Sequence, residues 1–262
     1  MHFKNIMMAA TMLASMGMMA ATCYAEEPAA PLDEKKIEDL VKKAIQNNPE
    51  LIIKSLQDYQ IKKRADEILK AAQNLRSAET DLKNNPNSPV AGNPKGDVTI
   101  VQFFDYHCGY CKRFFATLKQ LMDEDKNVKI VFKEFPILSE DSRLASKAAL
   151  AVNSIDKSKY IAFHALLMKN SGEFTRENLK AKAREVGIDE ATFSKAMENP
   201  ELEKELENNR KLAESLNISG TPGVIIGQEI APGAIPLEEL KLRVANARIS
   251  GKDKEQHKEP KP

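Results

Sequence analysis

The stretch "VTIVQFFDYHCGYCKRF", residues 98–114, carries the strongest structural signal in the chain. Its first part, Val98–Phe104, is apolar and rich in β-branched residues, which predicts a strand buried on both faces. Beyond it, apolar residues recur at helical spacing at Phe114, Phe115, Leu118, Leu121 and Met122. Cys108 therefore falls at a strand-to-helix turn. We expect Gly109 to permit the tight entry and Cys111 to lie one turn into the helix.

The two cysteines allow three interpretations, namely a structural disulfide, a metal site or a reactive pair. A bridge across so short a loop stabilises a fold by only about 2 kcal/mol, against about 4 to 5 kcal/mol across a hundred residues. Structural zinc takes four Cys or His ligands, and the chain has no second cysteine pair. Outside the first residues the imidazoles are those of His107, His164 and His257. A soft-metal site of His107, Cys108 and Cys111 stays open as the minor alternative.

As a reactive pair, Cys108 would attack as a thiolate and Cys111 would resolve the mixed disulfide. A helix N-terminus stabilises a thiolate, because free backbone N–H groups and the positive end of the helix dipole point at the sulfur. The spacing predicts that the Cys108 side chain lies at such an N-terminus.

The first residues resemble a targeting segment, and we predict a signal peptide over residues 1–25. A positive start is followed by a short apolar run, and the segment ends in small residues at Ala25. Lipidation of Cys23 is disfavoured because Ala20 and Thr22 depart from the usual lipoprotein pattern. The chain carries 39 Lys and Arg against 38 Asp and Glu, so its net charge does not recruit nucleic acid. We expect an exported, soluble protein with two cysteines.

A second signal lies far downstream in "NISGTPGVIIG", residues 217–227, where Thr221 and Pro222 precede a short apolar strand at Val224–Ile226. A proline at the start of a strand suggests an edge or a cis peptide bond. Taken alone, this stretch would fit an ordinary turn proline equally well.

Together the two signals resemble the α/β thioredoxin fold with an inserted helical subdomain, as found in the DsbA family of periplasmic thiol:disulfide oxidoreductases. The likeness extends over about residues 90–248 and includes "FKEFPILSEDSRLASKAALAV" and "YIAFHALLMKN". It implies that Cys108 is the nucleophile and that Cys111 completes the redox-active disulfide. It also implies that Thr221 and a cis Pro222 pair with the substrate backbone beside the active sulfur. No cofactor is implied.

Finer details of the motif bear on the reaction. Gly109 and Tyr110 between the cysteines, and Thr221 before the proline, are similar to the DsbC branch of isomerases and reductases. We therefore favour an isomerase over a pure oxidase. His107 would stabilise the thiolate if protonated, or is an exposed rim residue. We expect His164 to pack in the core.

One departure concerns the acid that many thioredoxin-fold oxidoreductases keep six residues before the first cysteine. This chain has Gln102 there, and an amide cannot exchange a proton at ordinary pH. Either water or Glu134 accepts the proton of Cys111 instead, or the step is slower. Otherwise Asp105 and Glu134 are expected to be solvated or strand-end carboxylates.

The sequence on either side of the cysteine motif predicts how the chain is divided into regions. We expect a helical oligomerisation region at residues 26–84, a linker at 85–96 and the catalytic domain at 97–248. The helical insertion should span about 140–215, and a disordered tail should follow at 249–262. The second N-terminal helix should run from Pro49 to about Leu82, and the closing helix from about Pro236 to Arg248. An apolar stripe on the N-terminal helices predicts a homo-oligomer, dimer or trimer, although folding back onto the domain is the alternative.

These features leave two classes of function. One is an envelope thiol-disulfide oxidoreductase that acts on exported client proteins and exchanges electrons with a membrane partner of Dsb type. The other is a non-enzymatic envelope, surface or metal-binding protein on the same fold. The resemblance places the protein in the periplasm of a Gram-negative bacterium, and association with the outer membrane is left open.

Overall fold

A computed structural model gives the structure of the protein and describes residues 33–256. The expected signal peptide at 1–25 and the last part of the expected tail, 257–262, lie outside the described residues. The described chain divides into two compact units, residues 33–59 and residues 60–256. Each unit is described by itself below.

A five-stranded mixed sheet forms the centre of the second unit, with strand order β1-β3-β2-β4-β5. The parallel pair β2 and β3 lies in the middle, and the other pairings are antiparallel. The expected central strand, Val98–Phe104, is confirmed as β2. The strands are β1 Val90–Gly92, β2 Val98–Phe104, β3 Val128–Glu134, β4 Gly223–Ile226 and β5 Glu229–Ala231.

Strand β2 is buried on both faces of the sheet, which agrees with its apolar residues at nearly every position. Ile100 and Phe104 enter the larger hydrophobic cluster, while Val101 and Phe103 enter a second cluster. This alternation is what a strand produces when it is buried on both sides. Helix α4, Gly109–Glu124, contributes to the larger cluster and follows β2 after a short loop.

Helices between β3 and β4 form the insertion that the sequence predicts at about 140–215. Polar N-caps start four of them, including the Thr175 capping box at α7. The helices are α5 Glu140–Ile155, α6 Tyr160–Lys169, α7 Arg176–Glu185, α8 Glu190–Met197 and α9 Pro200–Ser215, with a 3₁₀ turn at Lys157–Lys159.

The closing helix α10 spans Leu237–Gln256, so the prediction that it ends at Arg248 is wrong. Arg248 is held in place by ion pairs with Asp97 and Asp125, which tie this part of the helix to the domain. The segment from 249 to 256, expected to be disordered, therefore continues the helix.

The expected linker at 85–96 is also corrected by the structure. Residues Val90–Gly92 form the edge strand β1, which pairs antiparallel with β3. A strand of three residues has too little apolar alternation to be recognised in a stretch rich in Pro, Asn and Gly.

The N-terminal part of the chain is helical, with α1 at Glu34–Asn47, α2 at Pro49–Ser77 and α3 at Glu79–Lys83. The helix expected to reach about Leu82 is interrupted at Ala78. Residues Leu75, Ala78 and Leu82 are buried in the second cluster, so the domain begins before the expected boundary at residue 84.

Apolar side chains of the first unit are exposed to solvent. Helix α1 has no buried residue. Exposed apolar side chains of residues 33–59 include Leu40, Val41, Ile45, Leu51, Ile53 and Leu56. Among residues 33–256, none of the helices combines the length and the apolar character needed to cross a bilayer.

Candidate active site

Cys108 occupies the N-cap of α4, as the sequence predicts. Its Sγ accepts the backbone N–H of Cys111 at 3.2 Å, which is the contact of a capping side chain. A sulfur in this position faces the free N–H groups and the positive end of the helix dipole, both of which stabilise negative charge.

Gly109, the first residue of α4, is not required for the turn. An added Cβ there would meet nothing within 4 Å, and Gly109 is not among the glycines with positive φ. The expectation that Gly109 permits a tight entry is therefore wrong, because the turn has ordinary backbone geometry.

The second predicted motif lies directly against the first. The Thr221–Pro222 peptide bond is cis, and the Sγ of Cys108 lies 3.3 Å from the carbonyl oxygen of Thr221, to which the thiol donates. Strand β4 begins at Gly223 and pairs with β2, so the sheet fixes Thr221 beside the start of α4. Two stretches 113 residues apart thus meet at one sulfur.

The two cysteines differ in environment. Both are present as free thiols; Cys108 is 7% exposed and Cys111 is fully buried. Burial above all, and then the hydrogen bond with Cys108, raise the pKa of the Cys111 thiol far above its ordinary value. Cys111 therefore keeps its proton until a group nearby accepts it.

Tyr110 is 63% exposed and forms the outer rim of the motif, with the guanidinium of Arg113 4.4 Å from its ring centre. It belongs to the accessible surface beside Cys108.

His107 is directed towards the insertion. Its Nε2 lies 2.7 Å from Asp141 Oδ2, and its ring packs against Phe174 with 5.0 Å between ring centres. Hydrogen bonds from Ser139 and then His107 hold the pKa of Asp141 well below its usual range. The His107 side chain is 27% exposed, so this rim residue is tethered to a carboxylate that the sequence did not indicate.

Asp105 directly follows β2 and is fully buried, so of the two expected environments it has that of a strand-end carboxylate and not that of a solvated one. Its Oδ1 accepts the His107 backbone N–H and the Ser142 hydroxyl, each at 2.7 Å. Its Oδ2 accepts the backbone N–H groups of Ile137 and Leu138 at 2.9 and 3.0 Å. With four donors, Asp105 joins the cysteine loop to the segment after β3.

Glu134 is also buried rather than solvated, at the end of β3. Its Oε1 accepts the hydroxyls of Tyr106 at 3.1 Å and Tyr160 at 2.9 Å. Burial, the largest cause, raises the pKa of Glu134 from 4.5 to about 8. No hydrogen bond joins it to Cys111, whose own partners are Cys108, Thr221 and the backbone of Asp105.

His164 is buried in the core, as expected. Its Nδ1 lies 2.9 Å from the Tyr106 hydroxyl, and its ring is 4.6 Å from those of Phe115 and Phe132. Burial lowers the pKa of His164 to about 3. No sequence pattern connects His164 with Tyr106.

Gln102 is fully buried in the middle of β2, and both polar atoms of its side chain lack a hydrogen-bond partner. It shares a strand face with Ile100 and Phe104, whose cluster also contains Cys111. A neutral side chain thus stands on the buried side of the cysteine pair.

This arrangement defines a class of protein. A Cys-x-x-Cys pair at the start of a helix, facing the carbonyl before a cis-proline across a mixed sheet, is a thioredoxin-fold redox site. Within residues 33–256, no three His, Cys, Asp or Glu side chains group as metal ligands.

Comparison with known proteins gives the family. Residues 99–245 match the DSBA-like thioredoxin domain, and the chain belongs to that family. A solved thioredoxin-like oxidoreductase from Silicibacter pomeroyi is 42% identical, with a TM-score of 0.61, over 65% of this chain and 97% of that one. ScsC from Proteus mirabilis is 31% identical, with a TM-score of 0.63, over 83% of this chain and 97% of that one.

Curated relatives include the thiol:disulfide interchange protein DsbA of Burkholderia cepacia, 27% identical over 53% of this chain and 66% of the relative. The chain is also similar to the Na(+)/H(+) antiporter NhaA 1 of Salinispora arenicola, at 23% identity. That match covers 60% of this chain but only 24% of the antiporter, so the chain spans about a quarter of that relative's length.

Proposed function

We propose that this protein is a protein thiol-disulfide oxidoreductase of the cell envelope, with Cys108 as its nucleophile. The observation that carries the proposal is the position of Cys108 Sγ, which accepts an N–H at the start of α4 and lies 3.3 Å from the Thr221 carbonyl. An extended client chain could pair with the backbone at Thr221 and present its own sulfur to Cys108.

The exchange proceeds in two balanced steps. The Cys108 thiolate attacks one sulfur of a client disulfide, a Cys108–client disulfide forms, and the second client sulfur leaves and takes up a proton. The deprotonated Cys111 sulfur then attacks Cys108 Sγ, and the first client sulfur leaves. The client gains two electrons and the enzyme pair becomes a disulfide; the reverse sequence oxidises a client.

Proton removal from Cys111 is the demanding part of the second step, because burial raises its pKa. Gln102 cannot accept that proton, and Glu134 is hydrogen-bonded to two tyrosines elsewhere. We propose that water reaching the site accepts the proton once Cys108 is engaged.

We propose isomerisation of client disulfides, rather than their net formation, as the physiological reaction. The support is the Gly109-Tyr110 pair and Thr221, which are similar to the DsbC branch.

We further propose that the protein is a homo-oligomer, dimer or trimer, joined through its N-terminal helices. Leu40 and Leu56 are among the apolar side chains there that are more than half exposed, and burying such residues against a second copy would stabilise the assembly. Leu40→Lys together with Leu56→Lys should lower the mass measured by light scattering, whereas an unchanged mass would refute this interface.

The proposed location is the periplasm of a Gram-negative bacterium, on the evidence of the apolar segment at residues 1–25. Exported client proteins with cysteines, and a membrane redox partner of Dsb type, are the proposed partners. Association with the outer membrane remains a separate proposal, which cell fractionation would test.

Two standard assays test the proposed function. The purified protein should accelerate the reduction of insulin by dithiothreitol and restore activity to scrambled ribonuclease, and Cys108→Ser should abolish both. Gly251→Ala is the matched control, because it lies outside the cysteine motif on α10 and a Cβ at that position meets nothing within 4 Å. Activity that survives Cys108→Ser would leave the non-enzymatic envelope or metal-binding alternative standing.

A further inference from the structure

The loop that carries Cys108 is attached to the core through Tyr106. This residue is fully buried and lies two positions before the nucleophile. Its hydroxyl is 3.1 Å from Glu134 Oε1 and 2.9 Å from His164 Nδ1. One phenol therefore connects the loop to the end of β3 and to α6.

Tyr160 makes almost the same contacts from a different place. Its hydroxyl is 2.9 Å from Glu134 Oε1 and 3.3 Å from His164 Nδ1, and it is equally buried. Tyr160 begins α6, however, and is not part of the cysteine loop. A substitution of Tyr106 therefore tests what the cluster does for the cysteine loop. The same substitution of Tyr160 tests only what the cluster does for the stability of the fold.

The cluster is incompletely paired, since His164 Nε2 has no hydrogen-bond partner, whereas the Ser146 hydroxyl lies beside the Glu134 carboxyl. Buried polar atoms without partners cost stability, and an apolar set of similar volume would avoid that cost. A purely structural role therefore explains the cluster poorly.

We propose that Glu134 and His164 are positioning residues for Cys108. Acting through the phenol of Tyr106, they hold the loop so that Cys108 Sγ stays at the N-terminus of α4 and faces the carbonyl of Thr221. This inference rests on the proposed thiol-disulfide exchange.

The groups that face Glu134 are Tyr106 from the loop, Tyr160 from α6, Ser146 from α5 and Asp105 just after β2. His164 of α6 faces the two phenols. Burial keeps the Glu134 carboxyl protonated and the His164 imidazole neutral near pH 7. Neither residue then brings a charge to the site, so the effect of the pair on Cys108 is geometric.

The test compares Tyr106→Phe with Tyr160→Phe, each of which removes one hydroxyl and keeps the ring. Two quantities are measured, the equilibrium with glutathione and the stability towards urea. In that equilibrium two enzyme thiols reduce one oxidised glutathione to two reduced ones, and the enzyme disulfide forms. Both variants should lose similar stability towards urea.

Tyr106→Phe should change the glutathione equilibrium constant by about threefold to tenfold, the range expected for one hydrogen bond. Tyr160→Phe should change it by less than about twofold. Glu134→Gln, which keeps an acceptor for both phenols, should behave like the wild type, and Glu134→Leu like Tyr106→Phe. These glutamate variants also decide the matter if Tyr106→Phe does not fold.

The inference is overturned if both tyrosine variants leave the constant unchanged or shift it equally, or if Glu134→Leu matches the wild type. Such results with an active wild-type protein would leave the proposed function intact. An inactive wild-type protein, or one whose activity survives Cys108→Ser, would instead refute the proposed function itself.

Discussion

Replacing Glu134 with Gln should remove a pH-dependent loss of stability from the protein. Glu134 is fully buried, its carboxyl accepts two phenols, and burial raises its pKa from 4.5 to about 8. Gln has the same shape and keeps an acceptor oxygen, but it cannot ionise. The variant therefore isolates the effect of the charge.

The size of the effect follows from the displacement of the pKa. Between 4.5 and about 8 lie roughly 3.5 pH units, and at about 1.4 kcal/mol per unit these correspond to about 5 kcal/mol. Below pH 4.5 both folded and unfolded chains carry the proton, so the carboxyl causes no pH-dependent loss. As the pH rises to 8 the unfolded chain releases its proton while the folded chain keeps it, and stability falls. Above pH 8 the loss is complete.

Urea denaturation of the reduced protein at several pH values between 4 and 9 measures this effect. The free energy of unfolding of Glu134→Gln minus that of the wild type should be near its smallest value at pH 4. It should rise by up to about 5 kcal/mol by pH 9. The low pKa of His164 makes both proteins less stable as the pH falls below 6.5, and this shared contribution largely cancels in the difference. A difference that stays flat from pH 4 to 9 would refute the burial of a protonated carboxyl at residue 134.

Two further predictions concern stability. Gly96→Ala should destabilise the fold by about 1 to 3 kcal/mol, because its Cβ would lie 2.5 Å from the Asn127 carbonyl oxygen, whereas Gly109→Ala should change the urea midpoint little. Gln102→Leu should raise the free energy of unfolding by about 1 to 3 kcal/mol, because it removes two buried polar atoms without partners; a loss of stability would show that the amide is satisfied after all.

The centre of the fold could be predicted because its signals are local. Val98–Phe104 is apolar at nearly every position, and the helix after it has regular apolar spacing, so strand, helix and the position of Cys108 follow from the sequence. The proline at 222 was identifiable because it precedes an apolar strand, and the structure has it cis.

The partners of the buried polar residues could not be predicted, because they come from distant parts of the chain. Asp105 finds donors on Ser142 and on the segment after β3, and Glu134 finds them on Tyr106 and Tyr160. A carboxylate next to a strand end is most often solvated, and only the folded chain shows that these two are enclosed.

Short or irregular elements were missed for a different reason. Strand β1 has three residues, and its place depends on pairing with β3 rather than on its own pattern. The burial of Leu75 and Leu82 could not be predicted either. An apolar stripe along a helix does not show at which residue the helix begins to pack against the domain.

The central claim is that Cys108 attacks the client and Cys111 resolves the mixed disulfide. Trapping of that mixed disulfide tests the claim most directly. Cys111→Ser, incubated with a disulfide-bonded client and quenched in acid, should accumulate a mixed disulfide that mass spectrometry locates at Cys108. Cys108→Ser should accumulate none, because Cys111 is buried and keeps its proton. A client adduct on Cys111 in Cys108→Ser, forming as fast as the Cys108 adduct, would contradict the account.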